Sequence, residues 1–262
     1  NRVYDNWHKN LFHDKLVDMD IVTPEPYRVW EYYNQKCSLS QAFDIEINGC
    51  GIRDLPRPTL KLTQDEITNG KIGLKDVVTK TGKNKTIVFQ PFGRGVQLKG
   101  DIVTDPSGRS FELGNVISII NKLQKEFSVL VMTELPLNFQ QLGCKDPVAS
   151  PVNVPLRQWS GIIKSADIVL TCDSVSQHIA YALNTPAVSV LGSTFPINVS
   201  YPSCENIKVL DMGEGMRIYS PIRIAPDEYA DMNNDGIMAM NDKIENAIID
   251  AVSELYNNFC KK

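Results

Sequence analysis

From about residue 85 onward, hydrophobic positions follow two patterns that alternate along the chain. Short apolar runs, typical of buried strands, lie at residues 86–90, 128–132, 168–171 and 187–191. Around them, apolar residues recur at spacings of three and four, which predicts amphipathic helices at residues 111–127, 156–165, 174–183 and 243–259. Strands that alternate with helices of this length indicate parallel βαβ units. The pattern therefore predicts an α/β fold with a doubly wound, Rossmann-like sheet.

The first part of the chain differs, because it is rich in aromatic residues, interrupted by prolines and only weakly periodic. It predicts a few short elements, namely a strand at residues 17–22 and helices at residues 27–33 and 39–43. A polar, basic stretch without apolar residues at 80–85 is the best candidate for a linker. We therefore divide the chain into an N-terminal α/β domain at residues 1–82 and a C-terminal Rossmann-like domain at residues 83–262.

The charge balance narrows the classes of partner. The 262 residues include 27 Lys and Arg against 31 Asp and Glu, which gives a formal charge of −4. Domains that bind nucleic acid carry a net basic face, so this balance disfavours a nucleic-acid partner while leaving room for a local basic cleft. No apolar run approaches the ~18 residues that a membrane-spanning helix needs, although peripheral attachment to a membrane stays open.

The cysteines and the start of the chain bear on its compartment. Zinc and redox motifs need closely spaced cysteine pairs, and the six cysteines here form none. A chain of this length buries enough surface to fold without disulfides, so we expect reduced thiols in a cytoplasmic protein. The sequence begins with Asn1 and shows no signal-peptide pattern, so we expect that a tag or leader has been removed or that an upstream piece is missing.

The stretch at 166–194 carries the most chemistry. A buried strand ends at Cys172, and Asp173 and Ser174 offer N-cap groups for the helix that follows. The free N–H groups of that helix would lie at the carboxyl edge of the sheet, where they favour phosphate or pyrophosphate. His178 stands four residues after Ser174 and shares this face. The alternative is that Asp173 only caps the helix and that His178 only packs.

This stretch resembles the C-terminal domain of the heptosyltransferase-type family 9 glycosyltransferases. The elements of the family signature occur here in order, as a strand, Asp173, Ser174, His178, Pro186, a second strand, Gly192 and Thr194. The resemblance extends over about residues 85–255 and is weaker over residues 1–80. It implies a GT-B-like α/β fold with two Rossmann-like domains, of which the N-terminal one is incomplete or reduced here.

The resemblance also implies an activity. A family 9 enzyme would move a sugar from a nucleotide-diphosphate sugar to a hydroxyl of a glycan or other acceptor, with inversion and without a metal or another cofactor. Residues 83–262 would bind the donor and residues 1–82 would form part of the acceptor side. Two other readings stay open, namely a non-catalytic relative that binds nucleotide sugars or carbohydrates, and another Rossmann-like phosphate-handling enzyme such as an epimerase.

The resemblance places the donor diphosphate on Ser174, the neighbouring N–H groups and His178. The motif glycine is replaced by Val175, whose Cβ restricts the approach of a phosphate. Arg109 stands where similar enzymes have the Lys or Arg that neutralises the departing diphosphate, and Arg94 is a rival for that role. Glu134 is the residue that the resemblance places at the ribose or base of the donor. The predicted donor-binding residues are Asp173, Ser174, Val175, His178, Arg109, Arg94, Glu134 and Thr194.

The catalytic base is not identified by the sequence. In the family it lies in the first loop of the N-terminal domain, near a glycine-rich turn, and no such strand and turn open this sequence. The early candidates are Asp5, His8, His13 and Asp14, each of which also fits a surface or structural role.

A calcium loop is a further candidate near the end of the chain. Asp231, Asn233, Asp235 and Asp242 stand at positions 1, 3, 5 and 12 of an EF-hand-like pattern, with Gly236 at position 6. A calcium ion there would be structural. Position 12 lacks the bidentate Glu of that motif, and the alternative is an Asn- and Asp-rich turn that caps the last helix.

Overall fold

The computed structural model describes residues 23–99, 102–217 and 236–260, and the strand predicted at 17–22 lies outside them. The chain forms two compact units, each with its own internal contacts. Of the described residues, 23–56 and 197–199 belong to the smaller unit, and the others belong to the larger one. None of the described helices is both long and apolar enough to cross a membrane.

Short helical segments make up the smaller unit. They are a 3₁₀ turn at Pro26–Arg28, α1 at Trp30–Tyr33 and α2 at Leu39–Asn48. Helix α2 begins where Ser38 and Gln41 form a capping box, and it ends at Gly49, whose φ of 60° is left-handed. The segment around 39–48 is therefore a longer helix than its apolar pattern predicts. The core of this unit consists of Val29, Tyr32, Cys37 and Ala42.

A parallel sheet of five strands forms the centre of the larger unit. In the described part of the chain, the strands are β1 Lys85–Gln90, β2 Gln97–Lys99, β3 Ile102–Thr104, β4 Phe127–Val131, β5 Ile168–Thr171, β6 Ala187–Leu191 and β7 Ile207–Asp211. The sheet has the order β4-β1-β5-β6-β7, whereas β2 and β3 pair separately and antiparallel. The parallel layer predicted from the apolar runs is confirmed, since β1, β4, β5 and β6 lie almost entirely inside the protein.

Among the described residues, the helices after α2 are α3 Gln64–Thr81, α4 Leu113–Leu123, α5 Leu156–Ser165, α6 Val175–Leu183, α7 Pro196–Val199 and α8 Asp242–Phe259. Of these, α3, α4, α5, α6 and α8 cover the two faces of this sheet, whereas residues 197–199 of α7 belong to the smaller unit. Alternate strand residues point to opposite faces, so Phe89 packs with α4 and α8, whereas Val88 packs with α3, α5 and α6. This layering brings the strand ends and the helix N-termini to one edge of the sheet.

Two helices of the larger unit also differ from the sequence prediction. The helix predicted at 111–127 ends at Leu123, and Phe127 opens β4 because a turn separates them. Helix α3 has 18 residues in a region where we predict none; it begins at a capping box of Thr63 and Glu66 and packs on α5. Residues 82–84 join α3 to β1 inside the larger unit, and the division into acceptor and donor domains stays a prediction.

Candidate functional site

The turn between β5 and α6 is the centre of the candidate site. Ser174 occupies the N-cap position in an extended conformation, with φ −155°. Its hydroxyl is 2.8 Å from the hydroxyl of Thr171 and caps no N–H group, and the Asp173 carboxylate is engaged elsewhere. The prediction that these two side chains cap the helix is therefore wrong, because the Ser174 hydroxyl bonds to Thr171 and the Asp173 carboxylate bonds to other side chains, not to N–H groups of the first turn.

The N–H groups of the first turn of α6 are only partly free. The Ser176 N–H donates to the side-chain oxygen of Gln90 at 3.2 Å, and the Gln177 N–H donates to the Ser174 carbonyl at 3.3 Å. Val175 N–H has no hydrogen-bond partner among the described residues, and the Val175 side chain is 38% exposed. An anion would thus meet fewer free donors here than the sequence predicts, but it would still face the positive end of the helix.

Asp173 joins three segments of the larger unit. Its carboxylate is 6% exposed and accepts hydrogen bonds from the Gln177 amide at 3.0 Å and the Thr194 hydroxyl at 2.9 Å. The guanidinium of Arg109 lies 3.9 Å from the same carboxylate oxygen as Thr194. A buried carboxylate needs such partners to offset its lost hydration. The structure therefore brings Asp173, Thr194 and Arg109 together.

Arg109 is held by the loop that precedes α4. Its Nε donates to the Ser107 hydroxyl at 3.1 Å, and Ser107 in turn donates to the Asp105 carboxylate from both its N–H and its hydroxyl. The Ser193 hydroxyl donates to the Ser107 carbonyl at 2.6 Å, which ties this loop to the loop after β6. The guanidinium is 31% exposed, so Arg109 presents a positioned positive charge to solvent beside Asp173.

His178 lies one turn further along α6, and its ring is exposed. Its Nδ1 is 2.8 Å from the hydroxyl of Tyr201, and the two rings meet edge to face. Although one side of the ring is open, the surrounding protein mass lowers the pKa of His178 by desolvation, and the charge of Asp173 opposes this effect. The lowered pKa favours the neutral imidazole near pH 7.

No hydrogen bond or ion pair between described residues links two predicted donor residues, Arg94 and Glu134, to this cluster. Arg94 follows β1, Glu134 follows β4, and both side chains are exposed. Within the described part of the chain, neither side chain makes a hydrogen bond or ion pair. Their roles stay predictions.

The remaining predicted residues lie mostly outside the described part of the chain. This applies to the base candidates Asp5, His13 and Asp14 and to the calcium-loop residues Asp231, Asn233 and Asp235. Asp242 is the first residue of α8 and pairs with Lys122 at 3.1 Å. The Asn241 side chain accepts from the Ile244 N–H at 3.1 Å, so it caps α8, as the alternative reading of this turn expects.

Three residues of the site were missed by the sequence analysis. Gln90 could have been predicted from the sequence, because it ends a buried strand at the carboxyl edge of the sheet. Tyr201 and Arg217 could not have been predicted, since each reaches the site from a loop. Arg217 is a buried cation that donates to the Gly192 carbonyl, pairs with Asp211 and so holds the loop after β6.

Most of this site lies in a segment of the chain that matches a known protein family. Residues 150–216 match the family model of glycosyltransferase family 9 (heptosyltransferase), and they include Asp173, Ser174, His178 and Thr194. The resemblance to family 9 is confirmed. Arg109 and Glu134 lie outside the matched residues. Among curated proteins, none matches this chain.

Solved structures share the fold. ADP-heptose lps heptosyltransferase II from E. coli is 15% identical with a TM-score of 0.54, and the match covers 85% of this chain and 62% of that one. The glycosyl transferase family 9 protein from Veillonella parvula DSM 2008 is 11% identical with a TM-score of 0.58, covering 95% and 65%. The predicted GT-B-like α/β fold is confirmed by these likenesses. The chain spans less than two thirds of the length of either structure.

Proposed function

We propose that the protein is a glycosyltransferase that moves a sugar from a nucleoside diphosphate sugar to a hydroxyl of a glycan or another acceptor. The transfer proceeds with inversion and without a metal, in the cytoplasm. The family 9 match over residues 150–216 supports the class of reaction. The observation that supports the donor site is that Arg109 lies beside Asp173, which directly precedes the open N-terminus of α6.

The donor diphosphate binds at the N-terminus of α6. Val175 N–H and the Ser174 hydroxyl donate to its oxygens, the Arg109 guanidinium lies beside it, and His178 contacts it from the next turn. As the glycosidic bond breaks, the leaving diphosphate gains negative charge, which a fixed cation and the helix end stabilise. Asp173 orients Arg109, and its own charge is offset by the hydrogen bonds from Gln177 and Thr194.

Outside this cluster, the same proposal assigns further roles. Glu134 holds the ribose or base of the donor, and Arg94 is a second cation for the phosphates. The acceptor binds on the side of residues 1–82, and its hydroxyl loses a proton to a carboxylate or histidine among Asp5, His13 and Asp14.

Titration calorimetry of the chain with ADP, UDP and GDP tests the donor site, with AMP as the control that lacks a diphosphate. Arg109→Gln is expected to weaken binding of the preferred diphosphate about tenfold, which is about 1.4 kcal/mol. Lys75→Gln removes an exposed charge on α3 and is expected to bind normally. Failure of all three diphosphates to bind would overturn the proposed donor site.

A second candidate function is a non-catalytic nucleotide-sugar-binding relative, which the exposed Val175 in place of the motif glycine favours. Release of nucleoside diphosphate from a panel of nucleotide sugars separates the two functions. The enzyme releases it, and faster with acceptor, whereas the binding protein binds without turnover. An epimerase would instead convert the bound sugar to an isomer without releasing the diphosphate, which NMR of the products detects.

A further inference from the structure

A stack of aromatic rings stands behind His178. The rings of Tyr181 and Tyr201 are nearly parallel, at 15°, with centroids 3.6 Å apart. The guanidinium carbon of Arg57 lies 4.3 Å from the centroid of Tyr181, and Arg57 Nε donates to the Tyr181 carbonyl at 2.8 Å. Three distant segments of the larger unit thus meet in one stack, in which the Tyr201 ring stacks on Tyr181 and Arg57 makes a cation–π contact with Tyr181.

The stack ends at the imidazole of His178. Tyr181 follows His178 by three residues, so both side chains share one face of α6. The Tyr201 hydroxyl is 2.8 Å from His178 Nδ1, and the rings cross at 86° with centroids 5.7 Å apart. Because Tyr201 is fixed by the stack, its hydroxyl is a fixed partner for this one nitrogen.

The chemistry of the pair decides which atom carries the proton. A phenol is a stronger hydrogen-bond donor than acceptor, and a neutral imidazole nitrogen without hydrogen is a good acceptor. Burial raises the pKa of Tyr201 to about 12, so the hydroxyl keeps its hydrogen at neutral pH. Among the described residues, the Tyr201 hydroxyl has no other hydrogen-bond partner. Its hydrogen therefore goes to His178.

We propose that Tyr201 is a positioning residue which donates to Nδ1 of His178 and thereby keeps the imidazole hydrogen on Nε2. Among the described residues, Nε2 has no hydrogen-bond partner, and His178 is an exposed residue, so its N–H is free to donate to a ligand. An oxygen of a phosphate group only accepts, and it would be repelled by a bare Nε2 lone pair. The tautomer set by Tyr201 is thus the one that an anionic ligand needs.

This inference relies on the proposed donor site only for the identity of the ligand, because the tautomer is a property of the free protein. The chain contains three histidines, His8, His13 and His178, so the ring nitrogens can be assigned in ¹⁵N NMR by comparison with His178→Gln. Above the pKa of the ring, we expect a pyridine-type shift for Nδ1 and a pyrrole-type shift for Nε2. The opposite assignment would overturn the proposal.

Tyr201→Phe removes the hydroxyl and keeps the stacked ring. We expect the two nitrogen shifts to move toward each other, because both tautomers then exchange. Tyr181→Phe is the matched control, since it also loses one hydroxyl of the stack but leaves the bond to Nδ1 intact. Circular dichroism of both variants verifies the fold, and unchanged shifts in folded Tyr201→Phe would also contradict the proposal.

Binding of the preferred nucleoside diphosphate then separates the two inferences. If the donor site is correct, Tyr201→Phe weakens binding about three- to tenfold and Tyr181→Phe leaves it unchanged. If the tautomer depends on Tyr201 but no diphosphate binds to any form of the protein, the donor site fails and the positioning role stands. If diphosphate binds equally to the native protein and to folded Tyr201→Phe, the positioning role fails and the donor site stands.

Discussion

Gly70 and Gly161 meet where α3 crosses α5. A Cβ atom added to Gly70 would lie 2.1 Å from the Gly161 carbonyl oxygen, and one added to Gly161 would lie 2.1 Å from the Glu66 carbonyl oxygen. Both distances are far inside van der Waals contact, and the atoms that would be met are backbone. The two helices therefore touch through their backbones, and both glycines are needed for a contact this close.

Gly161→Ala tests this contact. We expect it to lower the free energy of unfolding by about 2–3 kcal/mol, because the backbones must separate to admit the methyl group. Gly73→Ala is the matched control on α3, where the added Cβ would lie 3.5 Å from the Ile162 side chain in ordinary contact. It is expected to be neutral or to stabilise by up to about 1 kcal/mol through helix propensity. Equal losses in urea denaturation of the two variants would contradict this account.

The same crossing explains why α3 was not predicted from the sequence. Its contact surface uses glycines where a periodic pattern would show large apolar residues, so the helical period is weak. Strand β7 was missed for a related reason, since this edge strand is only half-buried and mixes Lys208 with apolar residues. Strands β1, β4, β5 and β6 were predictable because strands of a covered parallel sheet are continuous apolar runs.

An ion pair at this crossing predicts a pH dependence. The Glu66 carboxylate accepts from Arg157 and from the Thr63 N–H, and these bonds, with Arg157 the larger cause, lower the pKa of Glu66 from 4.5 to about 2. Because the folded state holds the ionised form, the stabilisation is present above pH 4.5 and is lost as the pH falls toward about 2.

Denaturation of the native protein and Glu66→Gln over this pH range measures the effect. The native protein is expected to be the more stable at neutral pH, and the difference should shrink as the pH falls toward ~2, because the carboxyl then becomes protonated in the folded state as well. Asp76→Asn, which breaks an exposed pair with Lys80, serves as the control with little effect at any pH. A constant difference between native and Glu66→Gln would rule out the linkage.

Part of the candidate site was predictable, because the order of strands and helices along the chain determines which strand ends lie close together. The carboxyl ends of parallel strands meet at one edge, and this alone places Asp173 near Thr194. The roles of the side chains were not predictable, since Asp173 bonds to Thr194 and Gln177 instead of capping α6. The Gln90 and Tyr201 contacts depend on tertiary packing between segments far apart in sequence, which leaves no local pattern.

Thr194→Val tests the support of the Asp173 carboxylate. It keeps the shape of the side chain but removes a donor from a buried anion, so we expect a loss of about 1–3 kcal/mol in the free energy of unfolding. Thr194→Ser retains the hydroxyl and should recover most of that loss. If Thr194→Val and Thr194→Ser denature at the same urea concentration, the bond to Asp173 does not contribute to stability.

Val175→Gly restores the glycine of the family signature at the first residue of α6. Removing the exposed side chain lets a phosphate come closer to the free N–H, so we expect tighter binding of the preferred nucleoside diphosphate, by up to about tenfold. The same change should lower the free energy of unfolding by about 0.5–1 kcal/mol, because glycine loses more backbone entropy in a helix. Val175→Ala keeps the Cβ and should bind like the native protein. Of these two variants, only Val175→Gly is therefore expected to bind the diphosphate more tightly while its free energy of unfolding falls. If it binds more weakly and is also less stable, the valine packs against the donor instead of obstructing it.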